Sequence, residues 1–155
     1  MKIKNLLLLI FPLMLVLGSC KKIDAEEQAN IDDSTILKLI SDKGIVAQKH
    51  ASGLYYQILS TGTGSIAYTT NTTVSTRYTG RLLNGTVFDG TTSQPISFKL
   101  GQVIAGWQVG IPLIQKGGKI RLLIPSALAY GPEGQGPIPA NAVLDFDIEL
   151  IDVTN

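Results

Sequence analysis

One cysteine, one histidine and one tryptophan are all this 155-residue chain contains of three chemically distinctive side chains. A single cysteine leaves no internal disulfide, so apolar burial has to hold the fold. A single histidine, His50, has no neighbouring ligand set for zinc and sits ahead of the strand-rich part of the chain, where it reads as a surface residue. There is no G-x-S-x-G motif, so no nucleophile is armed for acyl transfer. Glycines 62, 64, 117 and 118 do not form a phosphate loop at a strand–helix junction. Excess positive charge is missing as well. Without Lys2 and Lys4, 11 Lys and Arg face 12 Asp and Glu, and such a balance provides no electrostatic footprint for nucleic acid. Metal, cofactor, nucleophilic and nucleic-acid chemistries are therefore not expected.

The first twenty residues have their own logic. Lys2 and Lys4 precede the apolar run "LLLLIFPLMLVL" (Leu6 to Leu17) and then "GSC". Charge followed by an apolar stretch is the layout of a secretory signal, and the run is shorter than the roughly 20 residues a membrane-spanning helix needs. "LGSC" resembles the lipobox of bacterial lipoproteins, which implies that Cys20 is acylated after residues 1–19 are removed. That places the protein at the cell envelope, lipid-anchored and extracytoplasmic. Lys21 after the cysteine favours the outer over the inner membrane, again by resemblance. Residues 20–50 then read as a polar tether, "KKIDAEEQAN", followed by a short helix in "IDDSTILKLISDKG". Its N-cap candidates are Asp32, Asp33 and Ser34, its apolar stripe is Ile36, Leu37 and Ile40, and Gly44 is its stop. A spacer is the favoured role for this helix, ahead of a dimerisation element or a cover for the domain.

From residue 51 the pattern is that of strands. "GLYYQIL", "TTVSTRYTG", "PISFKLG", "GGKIRLLIP" and "VLDFDIELIDV" are β-rich or alternating runs. Asn84-Gly85 is a hairpin signal. In the last run Leu144, Phe146, Ile148 and Leu150 form the core face, and Asp145, Asp147 and Glu149 a solvated one. "VIAGWQVG" reads as a short helix with Ile104, Trp107 and Ile111 on one side. Gly106 and Gly110 lie four apart in it, a strip that lets the backbone approach a neighbour. The fold class is α+β: a curved antiparallel sheet of five to six strands wrapped around one short helix, with an N-terminal helical extension.

The pieces "RYTG", "GTVFDG", "PISF", "VIAGW", "LAYG" and "IPANAVLDFDIEL" occur in one order across Thr72 to Val153. Together they resemble the FKBP family of peptidyl-prolyl cis/trans isomerases, whose fold is the one read above. The resemblance implies a pocket in which Tyr78, Asp89, Trp107 and Tyr130 do the catalytic work, with Trp107 as floor and the Tyr130 hydroxyl reaching a bound carbonyl. It further implies substrate contacts from Phe88, Ile96, Val103, Ile104 (through its backbone N–H), Ile138 and Phe146. Phe98 and Leu100 read as core. Asp89 would either hydrogen-bond pocket groups or meet the twisted carbonyl carbon. Implied partners are proline-containing polypeptides and macrolide inhibitors of the tacrolimus type. Two departures stand out: Ile96 replaces a frequent aromatic, and "GPEGQGPI" is about one residue short, with Gln135 where a histidine can occur. Both keep alive an alternative, a non-catalytic FKBP-like chaperone or binding module at the envelope.

Overall fold

A computed structural model describes residues 24–155. Cys20 and the apolar run before it lie outside the described residues. Alternating runs become strands because period-2 patterning buries one face, and here the sheet closes on a helix. The elements are α1 (Ala25–Lys43), β1 (Gln48–Lys49), β2 (Tyr55–Ser60), β3 (Thr73–Leu82), β4 (Val87–Lys99), α2 (Ala105–Gly110), β5 (Lys119–Ile124) and β6 (Leu144–Thr154). They form a curved six-stranded sheet in the order β1-β2-β5-β6-β3-β4, every pair antiparallel. Two-residue β1 escaped the sequence reading, and it puts His50 just inside the sheet's start. There His50 Nδ1 bonds the Ser52 backbone N–H in the turn to β2.

Strand alternation supplies two apolar clusters, one per face. Leu54, Val74, Ile120, Leu122, Ile124, Leu144, Phe146, Ile148 and Leu150 point to one side and meet Trp107, Ile111 and Ile114. Their sequence neighbours Tyr55, Leu123 and Val143 point to the other side and meet Ile36, Leu39 and Ile45. Helix α1 is therefore a cover for the back of the sheet, not a spacer. It also begins earlier than expected. Asp24 is the N-cap and accepts from the Glu27 N–H at 2.8 Å, so most of the supposed tether is helical. Glu26 and Glu27 in the first turn complement the helix dipole. Gly44 does end the helix, in the left-handed conformation at φ 60°.

The back of β6 is not a plain solvated face. Asp145 is only 3% exposed and accepts from Arg121 Nε (2.9 Å) and Nη2 (2.8 Å), while Arg81 bridges Asp145 and Asp147. The alternation was right, but two arginines cover the carboxylate. On the front, α2 lies against β5 through its glycines. A Cβ at Gly106 would stand 2.5 Å from Ile124 Cγ2, and one at Gly110 2.6 Å from Leu122 Cδ1. The glycine strip read from the sequence is a close-packing surface.

Candidate active site

Trp107 sits in the middle of α2, pressed toward the sheet by that close packing, and is 4% exposed. Three aromatic rings stand nearly perpendicular to its indole: Tyr78 (centroids 5.0 Å apart, 87°), Phe146 (5.4 Å, 83°) and Phe98 (5.8 Å, 88°). Edge-to-face pairs of this kind add about 0.5–1.5 kcal/mol each beyond area burial. Phe88 extends the set onto Phe146 at 5.6 Å and 84°. Both of those rings cross Gly80, where a Cβ would come within 2.6 Å of Phe146 and 2.8 Å of Phe88. Gly80 therefore makes room for the aromatic wall, a role not read from "RYTG".

Above this floor is a cavity of about 310 Å³ lined by Tyr78, Phe88, Asp89, Phe98, Gln102, Val103, Ile104, Trp107, Tyr130, Gln135 and Phe146. Eight of the ten expected pocket residues are in that lining. The polar groups at its edge are few and placed by identifiable bonds. Asp89 Oδ2 accepts from the Tyr78 hydroxyl at 2.8 Å, and its Oδ1 accepts from the Gly90 N–H at 2.8 Å. Of the two roles open for Asp89, hydrogen bonding to a pocket group is the one formed here. Burial, reinforced by the Asp89 bond, pushes the Tyr78 phenol well above its ordinary pKa of 10.0. Burial also raises Tyr130, with the Asp89 charge adding to it, and no side chain among the described residues hydrogen-bonds its hydroxyl. Both phenols are neutral donors across the physiological range.

Ile104 is the N-cap of α2, and its carbonyl accepts from the Trp107 and Gln108 N–H groups at 2.9 and 3.2 Å. Its own N–H lies before the helix and has no partner among the described residues. Gln108 reaches back to the Val103 carbonyl at 2.7 Å, which stiffens this rim.

Two expected wall residues are elsewhere. Ile96 is 44% exposed and absent from the cavity lining. Between the pairs Thr76–Ile96 and Tyr78–Thr91 the two strands lose register, with four β4 residues opposite one of β3. Ile96 borders that bulge, so it does not share the environment of Phe98 two residues on. Phe98, read as core, packs on the front cluster and also lines the cavity, while Leu100 is core as expected. Ile138 is 7% exposed but packs into the front cluster without lining the cavity. A turn closed by reciprocal 2.9 Å bonds between Gln135 and Ile138 presents the glutamine to the cavity. Gln102 was not singled out by any pattern. A larger groove, about 680 Å³, lies between α1 and the 125–132 segment, but it has no aromatic side chain in its lining.

A curved sheet closes on a short helix, and the aromatic cavity between them is rimmed by one acid, one phenol and one backbone N–H that has no partner among the described residues. The comparisons with known proteins give the class. The model of the FKBP-type peptidyl-prolyl cis-trans isomerases matches residues 64–151. FkpA of Buchnera aphidicola (subsp. Schizaphis graminum) is 42% identical over 134 residues, covering 84% of this chain and 52% of the relative. FkpA of Escherichia coli K12 is 43% identical over 118 residues, covering 75% and 43%. Among solved structures, a peptidyl-prolyl cis-trans isomerase from Pseudomonas syringae pv. tomato superposes with TM-score 0.71 at 35% identity, covering 86% of this chain and 98% of that one. Escherichia coli FkpA superposes with the same score at 38% identity, covering 83% and 62%. The chain belongs to the FKBP-type peptidyl-prolyl cis-trans isomerase family. It spans about half the length of the curated relatives it matches.

Proposed function

We propose that this protein accelerates cis/trans rotation about X–Pro bonds in exported polypeptides, held at the cell envelope by a lipid on Cys20. The observation that carries the catalytic reading is the Trp107-floored cavity with Asp89, Tyr130 and the Ile104 N–H at its edge. Amide resonance sets a rotation barrier of about 18–20 kcal/mol. The twisted transition state has lost that resonance and much of its charge separation. An apolar, water-poor cavity therefore binds it better than the planar, hydrated ground state, which is catalysis by differential binding. The prolyl ring would rest on Trp107, with the Ile104 N–H and Tyr130 hydroxyl holding the flanking backbone carbonyls. Asp89, accepting from the Tyr78 hydroxyl, fixes the polar edge of the cavity beside the bound proline. No proton transfer enters the scheme. Ring-shaped macrolides of the tacrolimus type present a comparable apolar ring and carbonyls, and would compete.

The binding-module alternative drew on Ile96 and the shortened loop. With Ile96 outside the cavity lining, its replacement does not flatten the wall, and the enzyme reading is preferred. An NMR exchange or protease-coupled assay on a short X–Pro peptide tests it, with residues 21–155 as the enzyme. Catalysis should be evident, and Asp89→Val and Tyr130→Phe should each cost about tenfold, the equivalent of one hydrogen bond. No acceleration by residues 21–155 would overturn the enzyme reading. Full activity in both variants would overturn the site assignment. For the anchor, Cys20→Ala should release the protein from the membrane fraction, and unchanged fractionation would remove the lipoprotein reading.

A further inference from the structure

Helix α1 lies outside the residues matched by the family model, yet it reaches the segment that carries Tyr130. Its buried stripe is Asp32, Ile36 and Leu39, spaced at i, i+4 and i+7. Two of these dock by apolar burial. The third is a carboxylate only 2% exposed, and no cation among the described residues pairs with it. Burying such a group is costly unless its oxygens are met by donors. Here three donors meet them: Gln28 Nε2 at 2.7 Å, the Ser126 N–H at 2.8 Å and the Ser126 hydroxyl at 2.6 Å. An apolar side chain would hold the helix down at less cost. What the carboxylate adds is a grip on one backbone N–H.

That grip falls at the first residue of a 3-10 turn, Ser126–Leu128, which leads directly into the site. The Ser126 carbonyl accepts from the Ala129 N–H at 3.0 Å, and the next residue is Tyr130. Ser126 is itself buried on the α1 side, whereas Leu128, Ala129 and Tyr130 pack on the front cluster. The segment thus crosses from one face of the domain to the other within four residues, clamped at Ser126 and free at the Tyr130 hydroxyl. At the far end, the Asn141 N–H donates to the Gly131 carbonyl at 2.8 Å.

We propose that Asp32 is a positioning residue for Tyr130: through Ser126 it fixes the turn that aims the phenol into the cavity, making α1 part of the isomerase machinery. This rests on the reading of Tyr130 as a substrate-binding group. The test is kcat/KM on an X–Pro peptide with the full chain in detergent, at a temperature where circular dichroism shows every variant folded. Asp32→Ala should lose about fivefold, and in a Tyr130→Phe background it should change the rate less than about twofold, because the hydroxyl it orients is gone. Asp32→Asn keeps an acceptor for the Ser126 N–H and should recover at least half of the loss. Ser126→Ala, which leaves the helix stripe intact, serves if Asp32→Ala does not fold, with about a twofold loss expected. Losses that multiply in the double variant, or a wild-type rate in Asp32→Ala, would overturn the proposal while a slow Tyr130→Phe left the site reading standing. A full rate in Tyr130→Phe would instead overturn the role of Tyr130, and the coupling with it.

Discussion

The two faces of the sheet solve the same problem in different ways. On the front, α2 approaches β5 by having no side chain at Gly106 and Gly110, and large rings fill the remaining space imperfectly, leaving a cavity. On the back, α1 approaches through Ile36 and Leu39, which fill their space with Tyr55, Leu123 and Val143, and charged groups seal the rest through the Arg81, Arg121 and Asp145 set. Close-packed aliphatic surfaces leave little room for a ligand. Rings locked edge-to-face leave flat, rigid walls and a hole. The candidate site lies on the face whose ring packing leaves an aromatic-walled cavity. The other face carries the aliphatic packing and ion pairs, and the groove beside α1 has no aromatic wall.

The sharpest way to break this division is to truncate one residue on each face. Leu123→Ala should lower stability by about 2–5 kcal/mol, the usual cost of a buried Leu→Ala, with kcat/KM within about twofold of wild type well below the melting temperature. Trp107→Leu should show the reverse emphasis, a loss of activity exceeding its loss of stability. Urea unfolding and the peptide assay read both, and equal activity losses on the two faces would contradict the division. Next in size is Gly106→Ala. Helix propensity alone calls for a gain of up to about 1 kcal/mol. The contact with Ile124 calls for a loss of about 1–3 kcal/mol, as overpacking generally costs, so the sign of the change in urea midpoint decides which governs α2.

Smaller effects separate the polar groups. Tyr78→Phe removes the bond to Asp89 and should cost about 0.5–1.5 kcal/mol. The raised phenol pKa values of Tyr78 and Tyr130 also fix an alkaline trend. Above pH 10 the unfolded tyrosines lose their protons while these two keep theirs, so the folded state binds more protons and stability falls as pH rises further. Tyr78→Phe should make that fall shallower, and an identical slope would show that Tyr78 is not shielded. The smallest effect belongs to Asp33, held below its ordinary carboxylate pKa by its bonds to Lys49 and then Tyr55. A depressed pKa stabilises above the unfolded value of 3.8 and is lost as pH falls through the folded one. Because this group is partly exposed, Asp33→Asn should cost less than about 1 kcal/mol near neutral pH. The gap between wild type and variant should then close in acid.

Most of the cavity lining was legible through the family resemblance, whose residues come in short motifs: Tyr78 in "RYTG", Phe88 and Asp89 in "VFDG", Val103 to Trp107 in "VIAGW", Tyr130 in "AYG". Ile96 was expected on the wall and Phe98 only in the core because simple alternation carries no mark of a four-residue bulge. Gln102 and Gln135 went unassigned as site residues because an amide in a loop has no period or partner to betray it.

What the sequence determined by itself was the local grammar. Alternating apolar residues had to form strands with two faces, Gly44 had to end a helix, and paired glycines around Trp107 had to lie against something close. Only the tertiary structure decided what each face met. Asp32, Asp33 and Asp145 look alike on paper, as surface or capping acids, because a carboxylate's environment is set by residues far away in the chain. Asp32 is met by Ser126, 94 positions on, and Asp145 by Arg81 and Arg121. Such long-range pairings follow from strand order and helix docking, which no local pattern encodes, and they turned an expected spacer helix into a cover for the back of the sheet.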